Sequence, residues 1–349
     1  MKCLQLLIVT IFAFLLTQVV VAQTDIDRSD EDRQNIELMQ ELDARGGFVR
    51  IEGDSLFLTS DVRKGEQTGY WFDLAAGPLR PSLVRDRLPG AWDVAVHRDH
   101  AIVCDYKKHL TVYRLHDKSW ALSANLEMPS MTENVVLRDK LAYVACHTAG
   151  MIIVDISQPD KPSVVGTINP KIDCDAIGLS GNIAILYGHW ESRLALVDIS
   201  DPKHPKEIGV YQGTPRTFNQ GELAIDGGIA FCTTQTGLVI VDCSNPAEPK
   251  LLHDVKLGGA ITDVEVLDNY AFIAAGSRGV IVLDVSNPTA PVVAGRYASD
   301  TTLSASQIAV KQSGQEDDKP GDYIIYAANR KGAAIVLKFS PKVQNPSNE

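Results

Sequence analysis

The chain has 349 residues, with 33 Lys and Arg against 44 Asp and Glu, which gives a formal net charge of −11 at pH 7. An acidic surface repels the phosphate backbone of nucleic acids and anionic lipid headgroups. Nucleic acid is therefore not expected as a partner, and the search for a ligand turns to proteins, peptides and glycans.

The first 22 residues have the layout of a secretory signal peptide. Lys2 stands ahead of an unbroken apolar run, and Val20 and Ala22 suit the positions before a cleavage site. Cleavage there removes one basic residue and no acid, which leaves 32 basic against 44 acidic residues and a net charge of −12. The run from Leu4 to Ala22 is nearly long enough to span a bilayer, so an uncleaved membrane anchor is the alternative. In both cases we expect the rest of the chain to be exported, as a secreted, periplasmic or cell-surface protein.

Five cysteines follow the signal peptide, and none has the spacing of a CxxC or metal motif. We expect small buried side chains within strands, with one disulfide as the alternative in an oxidising compartment. The five are Cys104, Cys146, Cys174, Cys232 and Cys243.

Residues 23–45 form a separate N-terminal segment in which Ile36 to Leu42 reads IELMQEL. Glu, Leu, Met and Gln are good helix formers, so a short helix is one interpretation. The other is a β-strand that completes the last unit of a repeated fold. The repeats that follow in the chain favour the strand.

Residues 46–341 contain seven repeated units. In the clearest copies an apolar run ends in Asp and a turn-forming segment follows, as in RLALVDISDPKHP and GLVIVDCSNPAEP. Each unit holds four short β-branched runs separated by Gly, Pro, Asn and Asp, which predicts four strands and leaves no room for a helix. The residues that mark the end of the third run, spaced by 41, 41, 43, 44, 42 and 54 positions, are Asp73, Arg114, Asp155, Asp198, Asp242, Asp284 and Lys338.

Four strands per unit and a period in the low forties predict an all-β fold, a seven-bladed β-propeller with four antiparallel strands per blade. The last unit ends without a convincing fourth strand, and Ile36 to Leu42 stands before the first unit, where a fourth strand belongs. We therefore predict that this N-terminal strand is the outer strand of the seventh blade and closes the ring. The insertion Gln312 to Asp322 is predicted to be a mobile loop, and residues 342–349 a disordered tail.

The Asp-x-Ser-x-Pro cluster after the third strand is interpreted as a chain turn. An Asp or Ser oxygen accepts a hydrogen bond from a backbone amide two residues on, and Pro fixes φ. A calcium loop would need oxygen ligands at alternating positions and usually a Gly, whereas here only Asp242, Ser244 and Asn245 offer oxygens before Pro246. The pattern therefore favours a structural role over a chemical one.

The start of each inner strand should point into the central channel. One position read in register gives a ring of seven side chains at the channel mouth, four of which are carboxylates. Converging acids must share protons, bind a cation or meet donors on neighbouring strands. The functional interpretation is a site for a cation or a polar ligand. The structural one, which the sequence favours, is a solvated lining whose acids bond to backbone amides and water. The ring comprises Phe48, Asp93, Asn134, Asp175, Glu222, Asp263 and Gln307.

The loops between the second and third strands should reach the same face. His147 and His189 lie in equivalent loops of adjacent blades, and with a channel carboxylate they would make a plausible metal set. Trp190, with Trp92 beside the acidic ring, offers an aromatic surface to a sugar or peptide, although packing at a blade edge is the commoner use of such residues. The other candidates in these loops are Lys107, Lys108, His109, Arg278, Arg330 and Lys331.

The segment from Gly237 to Asp242 reads GLVIVD, and SNPAEP follows after Cys243. This pattern resembles the LVIVD-repeat family of exported propeller proteins, strongly in the four units that end in Asp155, Asp198, Asp242 and Asp284 and weakly in the other three. The resemblance implies a secreted or surface propeller, and it brings no agreed catalytic residues with it.

Two functions remain open from the sequence. The favoured one is a noncatalytic binding or scaffold propeller that presents a loop face to a protein, peptide or glycan. The alternative is a metal-dependent hydrolase or lyase, with a metal at the channel mouth held by some of Asp93, Asp175, Glu222 and Asp263. No G-x-S-x-G elbow, P-loop, H-E-x-x-H or dinucleotide motif supports catalysis, and no cofactor is predicted beyond a possible divalent cation.

Overall fold

Seven four-stranded antiparallel sheets make up the fold of the computed structural model. The structure describes residues 35–42, 44, 46–59, 69–75, 82–83, 91–105, 107–116, 119–188, 190–213, 221–298, 303–313 and 321–341. The predicted signal peptide, the predicted tail and most of the predicted loop at Gln312 to Asp322 lie outside these residues.

The first three blades take up strands β2 to β13, each blade running from its inner to its outer strand. Blade 1 comprises β2 (Phe48–Glu52), β3 (Ser55–Thr59), β4 (Gly69–Asp73) and β5 (Ser82–Leu83). Blade 2 comprises β6 (Asp93–His97), β7 (His100–Cys104), β8 (His109–His116) and β9 (Ser119–Glu127). Blade 3 comprises β10 (Asn134–Arg138), β11 (Leu141–Ala145), β12 (Met151–Asp155) and β13 (Ser163–Ile168).

Blades 4 to 7 continue in the same order. Blade 4 comprises β14 (Ala176–Ser180), β15 (Ile183–Gly188), β16 (Arg193–Asp198) and β17 (Lys206–Gln212). Blade 5 comprises β18 (Leu223–Asp226), β19 (Ile229–Thr234), β20 (Gly237–Asp242) and β21 (Lys250–Lys256). Blade 6 comprises β22 (Asp263–Leu267), β23 (Tyr270–Ala274), β24 (Val280–Asp284) and β25 (Val292–Tyr297). Blade 7 comprises β26 (Ala305–Gln312), β27 (Tyr323–Asn329), β28 (Ile335–Phe339) and, from the other end of the chain, β1 (Ile36–Glu41).

The predicted closing strand is present. β1 pairs antiparallel with β28, with Ile36 opposite Phe339, and ends one residue before the predicted limit at Leu42. Leu42 continues the contact because its amide donates a 2.8 Å hydrogen bond to the Ala334 carbonyl. The helix alternative for this segment is therefore wrong. The apolar side chain of Ile36 is buried between blades 6 and 7, and that burial outweighs the helix propensity of its neighbours.

The core of the protein is divided among the junctions between blades. Each inner strand contacts the inner strand of the next blade, from β2 round to β26 and back to β2. Seven clusters of buried apolar side chains occur among the described residues, one for each junction. Large exposed apolar side chains lie mostly on outer strands, for example Leu251 on β21 and Val292 on β25. The blades are therefore held together face to face, as in other propellers.

The Asp-x-Ser-x-Pro cluster is a turn, as predicted. In the four clear repeats the Asp carboxylate accepts a hydrogen bond of 2.7–2.9 Å from the amide of the Ser two residues on. The turn also contacts the preceding blade. A side chain at Gly209 on β17 would meet the carbonyl oxygen of Pro246, in the turn of blade 5, at 1.6 Å, so only Gly fits.

The five cysteines among the described residues, from Cys104 to Cys243, are free and buried, in agreement with the prediction of small core residues. The described part of the chain also contains no helix with the length and apolarity needed to cross a bilayer.

Candidate functional site

One end of the propeller, termed here the loop face, carries the starts of the inner strands and the connections between second and third strands. The antiparallel pairing brings these together, since Asn134 at the start of β10 lies opposite Ala145 at the end of β11. We call Asn134 the entry position of β10, and we use the same term for the equivalent residue of every other inner strand. Counted by strand pairing and by distance from the following hairpin turn, the entry positions are Phe48, Asp93, Asn134, Ala176, Glu222, Asp263 and Gln307.

Blade 4 differs from the sequence-based register. Ala176 occupies its entry position, opposite Tyr187, and Asp175 lies one residue earlier. The amide of Asp175 donates to the Tyr187 carbonyl in the way that the amide of Glu133 donates to the Ala145 carbonyl. Asp175 is therefore equivalent to Glu133 and not to Asp93 or Asp263. At the entry position of blade 1, Phe48 is buried in the core between blades 1 and 2 and contributes no polar group to the channel.

The entry-position carboxylate of Asp93 joins blade 2 to blade 3. One carboxylate oxygen accepts a 2.8 Å hydrogen bond from the Val94 amide, and the other accepts from the Val135 amide of the next blade at 2.8 Å and from the Asn134 side chain at 2.7 Å. The side chain is buried. Burial raises the pKa of Asp93, although the positive charge of Arg50 and these hydrogen bonds oppose the shift.

The same contact recurs at three other junctions. Asn134 accepts from the Ile177 amide at 3.0 Å, Asp263 from the Ile308 amide at 2.8 Å, and Gln307 from the Val49 amide at 3.3 Å. In each case a side-chain oxygen at the entry position of one blade accepts a hydrogen bond from a backbone amide of the next blade. That amide belongs to the residue that follows the next blade's entry position. Four of the predicted ring residues, Asp93, Asn134, Asp263 and Gln307, thus form interblade hydrogen bonds.

Glu222 differs from these four. Its backbone bonds to the Thr233 hydroxyl, with its amide donating at 2.9 Å and its carbonyl accepting at 3.3 Å. The Val264 amide of the next blade donates its hydrogen bond instead to the side chain of Asp263, at 2.9 Å. Burial and the negative charge of Asp263 raise the pKa of Glu222 well above its usual range.

Two charged residues lie one step deeper in the channel, two positions after the entry position. Glu265 on β22 accepts a 2.6 Å hydrogen bond from the Val310 amide of blade 7. Burial and the neighbouring Asp263 raise the pKa of Glu265 to about 7, whereas Arg50 on β2 and the Val310 amide oppose the increase. Burial likewise raises the pKa of Asp263 to about 7. The channel is thus lined by more acids than bases.

We expect Glu265→Gln to stabilise the protein at alkaline pH. The carboxyl has a pKa near 4.5 when unfolded and about 7 when folded, so the folded state loses stability as pH rises through this window. Glutamine cannot ionise, and its amide oxygen still accepts from Val310. Relative to the parent protein, the variant should gain about 1–2 kcal/mol in the free energy of unfolding at pH 8 and nothing at pH 4.5. Urea denaturation at the two pH values measures the difference. The matched control is the exposed Glu248→Gln, and an equal pH profile for the two variants would contradict the assignment.

A second cluster lies between blades 3 and 4 at the loop face. Ligand atoms of Glu133, His147 and Asp175 all lie within 4.8 Å of one another. The His147 Nε2 atom is 3.7 Å from the Glu133 Oε1 atom. Glu133 and Asp175 are 7% and 5% exposed. Burial raises the pKa of Glu133 to about 9, and the charge of Asp175 and a hydrogen bond with it add to the shift.

Four further residues were predicted at the loop face: His189, Trp190, Arg278 and Arg330. Trp190 lies in the loop after β15 and is 41% exposed. Arg278 donates a 3.2 Å hydrogen bond to the Leu257 carbonyl and so supports the connection between blades 5 and 6. The half-buried Arg330 donates its backbone amide to the Ser304 carbonyl at 3.1 Å. His189 lies outside the described residues, so its predicted approach to His147 remains untested.

The backbone carbonyls of Lys107, Lys108 and His109 accept hydrogen bonds from Met128 and Thr132, in the connection between blades 2 and 3. The ammonium group of Lys107 lies 3.7 Å from the Asp105 carboxylate, and Lys108 is exposed. His109 begins β8, and the amide of Lys331 bonds to the Asn329 side chain at 3.0 Å. Trp92 precedes the entry position of blade 2 and is half-buried.

Sequence reasoning missed Arg50, Glu133 and Glu265. All three lie in the inner-strand register, but only one position of each strand was read. Reading the residue before the entry position would have paired Glu133 with Asp175, and reading two residues after it would have identified Arg50 and Glu265.

Comparison with known proteins agrees with the repeat pattern and with the fold. A model of the LVIVD repeat matches residues 129–169, 175–213, 220–256 and 258–299. No curated protein gives a significant match.

Solved structures that resemble the chain are propellers of low sequence identity. The WD40 domain of Toxoplasma gondii coronin is 10% identical with a TM-score of 0.66, and the match covers 90% of this chain and 88% of that one. Saccharomyces cerevisiae Sqt1 is 8% identical with a TM-score of 0.62, covering 89% and 100%. The β-propeller domain of Myceliophteria thermophila Cps50 (Swd1) is 12% identical with a TM-score of 0.64, covering 86% and 99%. At these identities the likeness establishes the fold alone.

Proposed function

We propose that this chain, which belongs to the LVIVD-repeat proteins, is an exported, noncatalytic binding or scaffold propeller. The coarser role in binding or scaffolding follows from the propeller fold and its repeats, because propellers hold a rigid ring on which loops form a recognition surface. Export is proposed from the apolar run at residues 4–22 and its flanking Lys2. Membrane contact would then arise only where that segment is retained as an anchor.

The observation that carries the proposal is the position of Trp190. It is exposed at the loop face, whereas the other large apolar side chains exposed in the described residues lie on β1, β9, β13, β17, β21 and β25, which are outer strands. Tryptophan is strongly enriched among the residues that dominate binding energy in protein interfaces, and it also stacks on sugars and aromatic groups. We infer that the loop of blade 4 contacts a peptide, a protein segment or a glycan.

The catalytic alternative receives less support. Of the four acids suggested as metal ligands, Asp93 and Asp263 accept amides of the next blade, so their carboxylates have a structural use. Asp175 lies out of register with them. The acidic net charge continues to argue against a nucleic-acid ligand.

Screening the purified mature chain against phage-displayed dodecapeptides and a printed glycan array would test the proposal. Ligands selected on the native protein should lose at least about tenfold in affinity for Trp190→Ala, the loss typical of a central interface aromatic. Leu251→Ala changes an apolar side chain on an outer strand that is 51% exposed, against 41% for Trp190. It is the matched control and should retain the ligands. Selected ligands that depend on Leu251 and ignore Trp190, or the absence of any ligand in both libraries, would overturn the proposal.

A further inference from the structure

The cluster between blades 3 and 4 can be compared with the same positions elsewhere in the ring. Glu133 precedes the entry position of blade 3, and Asp175 precedes that of blade 4. At the junction of blades 6 and 7 these positions are occupied by Thr262 and Ser306. His147, at the start of the loop after β11, is equivalent to Gly276 after β23. Two junctions of one protein thus contain the same backbone with different side chains.

The backbones at the two junctions match closely. His147 forms an isolated antiparallel bridge with Cys174, and Gly276 forms one with Ala305. In both, the first residue's carbonyl accepts a 3.0 Å hydrogen bond from its partner's amide. A structural requirement of the fold should therefore give similar side chains at both places.

The residues at blades 6 and 7 have evident structural roles. The Thr262 hydroxyl donates to the Ala305 carbonyl at 3.1 Å, and the Ser306 hydroxyl donates to the Gly47 carbonyl at 3.1 Å, so each connects two blades. Glu133 instead has a hydrogen bond with the other acid of the cluster, Asp175. Glu133 and Asp175 therefore replace groups that support the fold with a buried pair of acids.

His147 departs from its counterpart in a costly way. Its φ is 38°, in the left-handed region that Gly276 adopts with φ of 55°. A side chain in this region is strained relative to the ordinary helical region, and such strain is concentrated at functional sites. Six other described residues besides glycine also have a positive φ, so the role of His147 is decided by the surroundings of its imidazole.

The imidazole of His147 has no hydrogen bond to any residue that the structure describes. Its side chain is 18% exposed, and the Nδ1 atom is buried without a partner in those residues. The 3.7 Å between Nε2 and Glu133 Oε1 is too long for a hydrogen bond. It is close to the roughly 3.3 Å that separates two ligands bonded at about 2.0–2.1 Å to one tetrahedral ion.

We propose that Glu133, His147 and Asp175 form a binding site for a divalent first-row transition cation, with Zn²⁺ as the representative. One imidazole and two carboxylates suit zinc or manganese, whereas calcium takes oxygen ligands. Three protein ligands leave a coordination position for water or for a ligand group. The site lies at the loop face and joins blades 3 and 4. It is independent of the role proposed for Trp190.

Calorimetric titration of ZnCl₂ into the EDTA-treated and dialysed mature protein would test the site. We expect one equivalent to bind and the melting temperature to rise with zinc concentration, because the ion binds the folded state. The variant Glu133→Thr/His147→Gly/Asp175→Ser introduces the residues of the blade 6 and 7 junction, so it should fold and lose this equivalent. The single change Glu133→Gln keeps the shape of the side chain and should weaken zinc binding by at least about tenfold.

Two controls separate the proposed site from surface binding. His204 is exposed and lies 2.8 Å from Asp201, so His204→Ala removes a comparable pair away from the cluster and should leave the single equivalent unchanged. Trp190→Ala should also leave it unchanged. Three results would overturn the proposal. Zinc binding could persist in both Glu133→Gln and the triple variant, it could disappear in His204→Ala, or it could be absent from the native protein.

Discussion

A chain that begins at residue 44 should be much less stable than one that begins at residue 30. The shorter chain lacks β1, so β28 loses its outer partner and the buried side chains of Ile36 and Leu42 are removed. Two buried aliphatic side chains contribute about 4 kcal/mol, which corresponds to a fall of about 10 °C in melting temperature for a domain of this size. Thermal unfolding followed by circular dichroism measures the difference.

Point substitutions in β1 separate ring closure from the effects of truncation. Ile36→Asp places a charge in the apolar cluster between blades 6 and 7, whereas Met39→Asp makes the same change at a position that is 54% exposed. The first should reproduce most of the loss caused by truncation, and the second should change stability by less than about 0.5 kcal/mol. Equal melting temperatures for the two truncated chains would contradict closure by β1.

Asp93→Ala should lower the free energy of unfolding by about 3 kcal/mol. The substitution leaves the amides of Val94 and Val135 without their acceptor at a buried position, and a buried unpaired donor costs about 1–3 kcal/mol. Urea denaturation at pH 7 measures the loss.

Two further variants define the cause. Asp93→Asn retains one acceptor oxygen and removes the buried charge, so its loss should be smaller than that of the Ala variant. Asp226→Ala removes an exposed carboxylate at the hairpin turn of blade 5 and should have little effect on unfolding. An Asp93→Ala protein as stable as the parent would show that the interblade hydrogen bonds at the entry position contribute nothing.

The architecture was predictable because the period is repeated so often. The Asp that ends each third strand fixes the blade register, and four clear copies are enough to locate the weaker ones at Asp73, Arg114 and Lys338. The partner of β1 was also predictable, since the last unit lacked an outer strand. These predictions depend on alternation and spacing, which a single sequence displays directly.

The candidate cation site was only partly predictable. Asp175 and His147 were identified, but Glu133 was not, and Asp175 was assigned to the wrong register. Which side chains meet across a junction depends on how two sheets pack together, and a repeat pattern within one sheet does not specify that. The left-handed backbone of His147 had no sequence signal either, because the residue type at this position varies from blade to blade.

The pairing of β1 with β28 has a consequence for how the protein assembles. The strands of the other six blades lie between β1 and β28 in sequence, so blade 7 cannot be completed until β28 has been synthesised. Before the two strands pair, β28 presents an open edge of amides and carbonyls, which β1 of a second molecule fits as well as its own. The molecule's own strand prevails because its tether keeps it at a high local concentration. At high concentrations of unfolded chains, molecules would instead exchange β1 by domain swapping and form dimers or longer assemblies. The seventh blade of each molecule would then be completed by β1 of a neighbour.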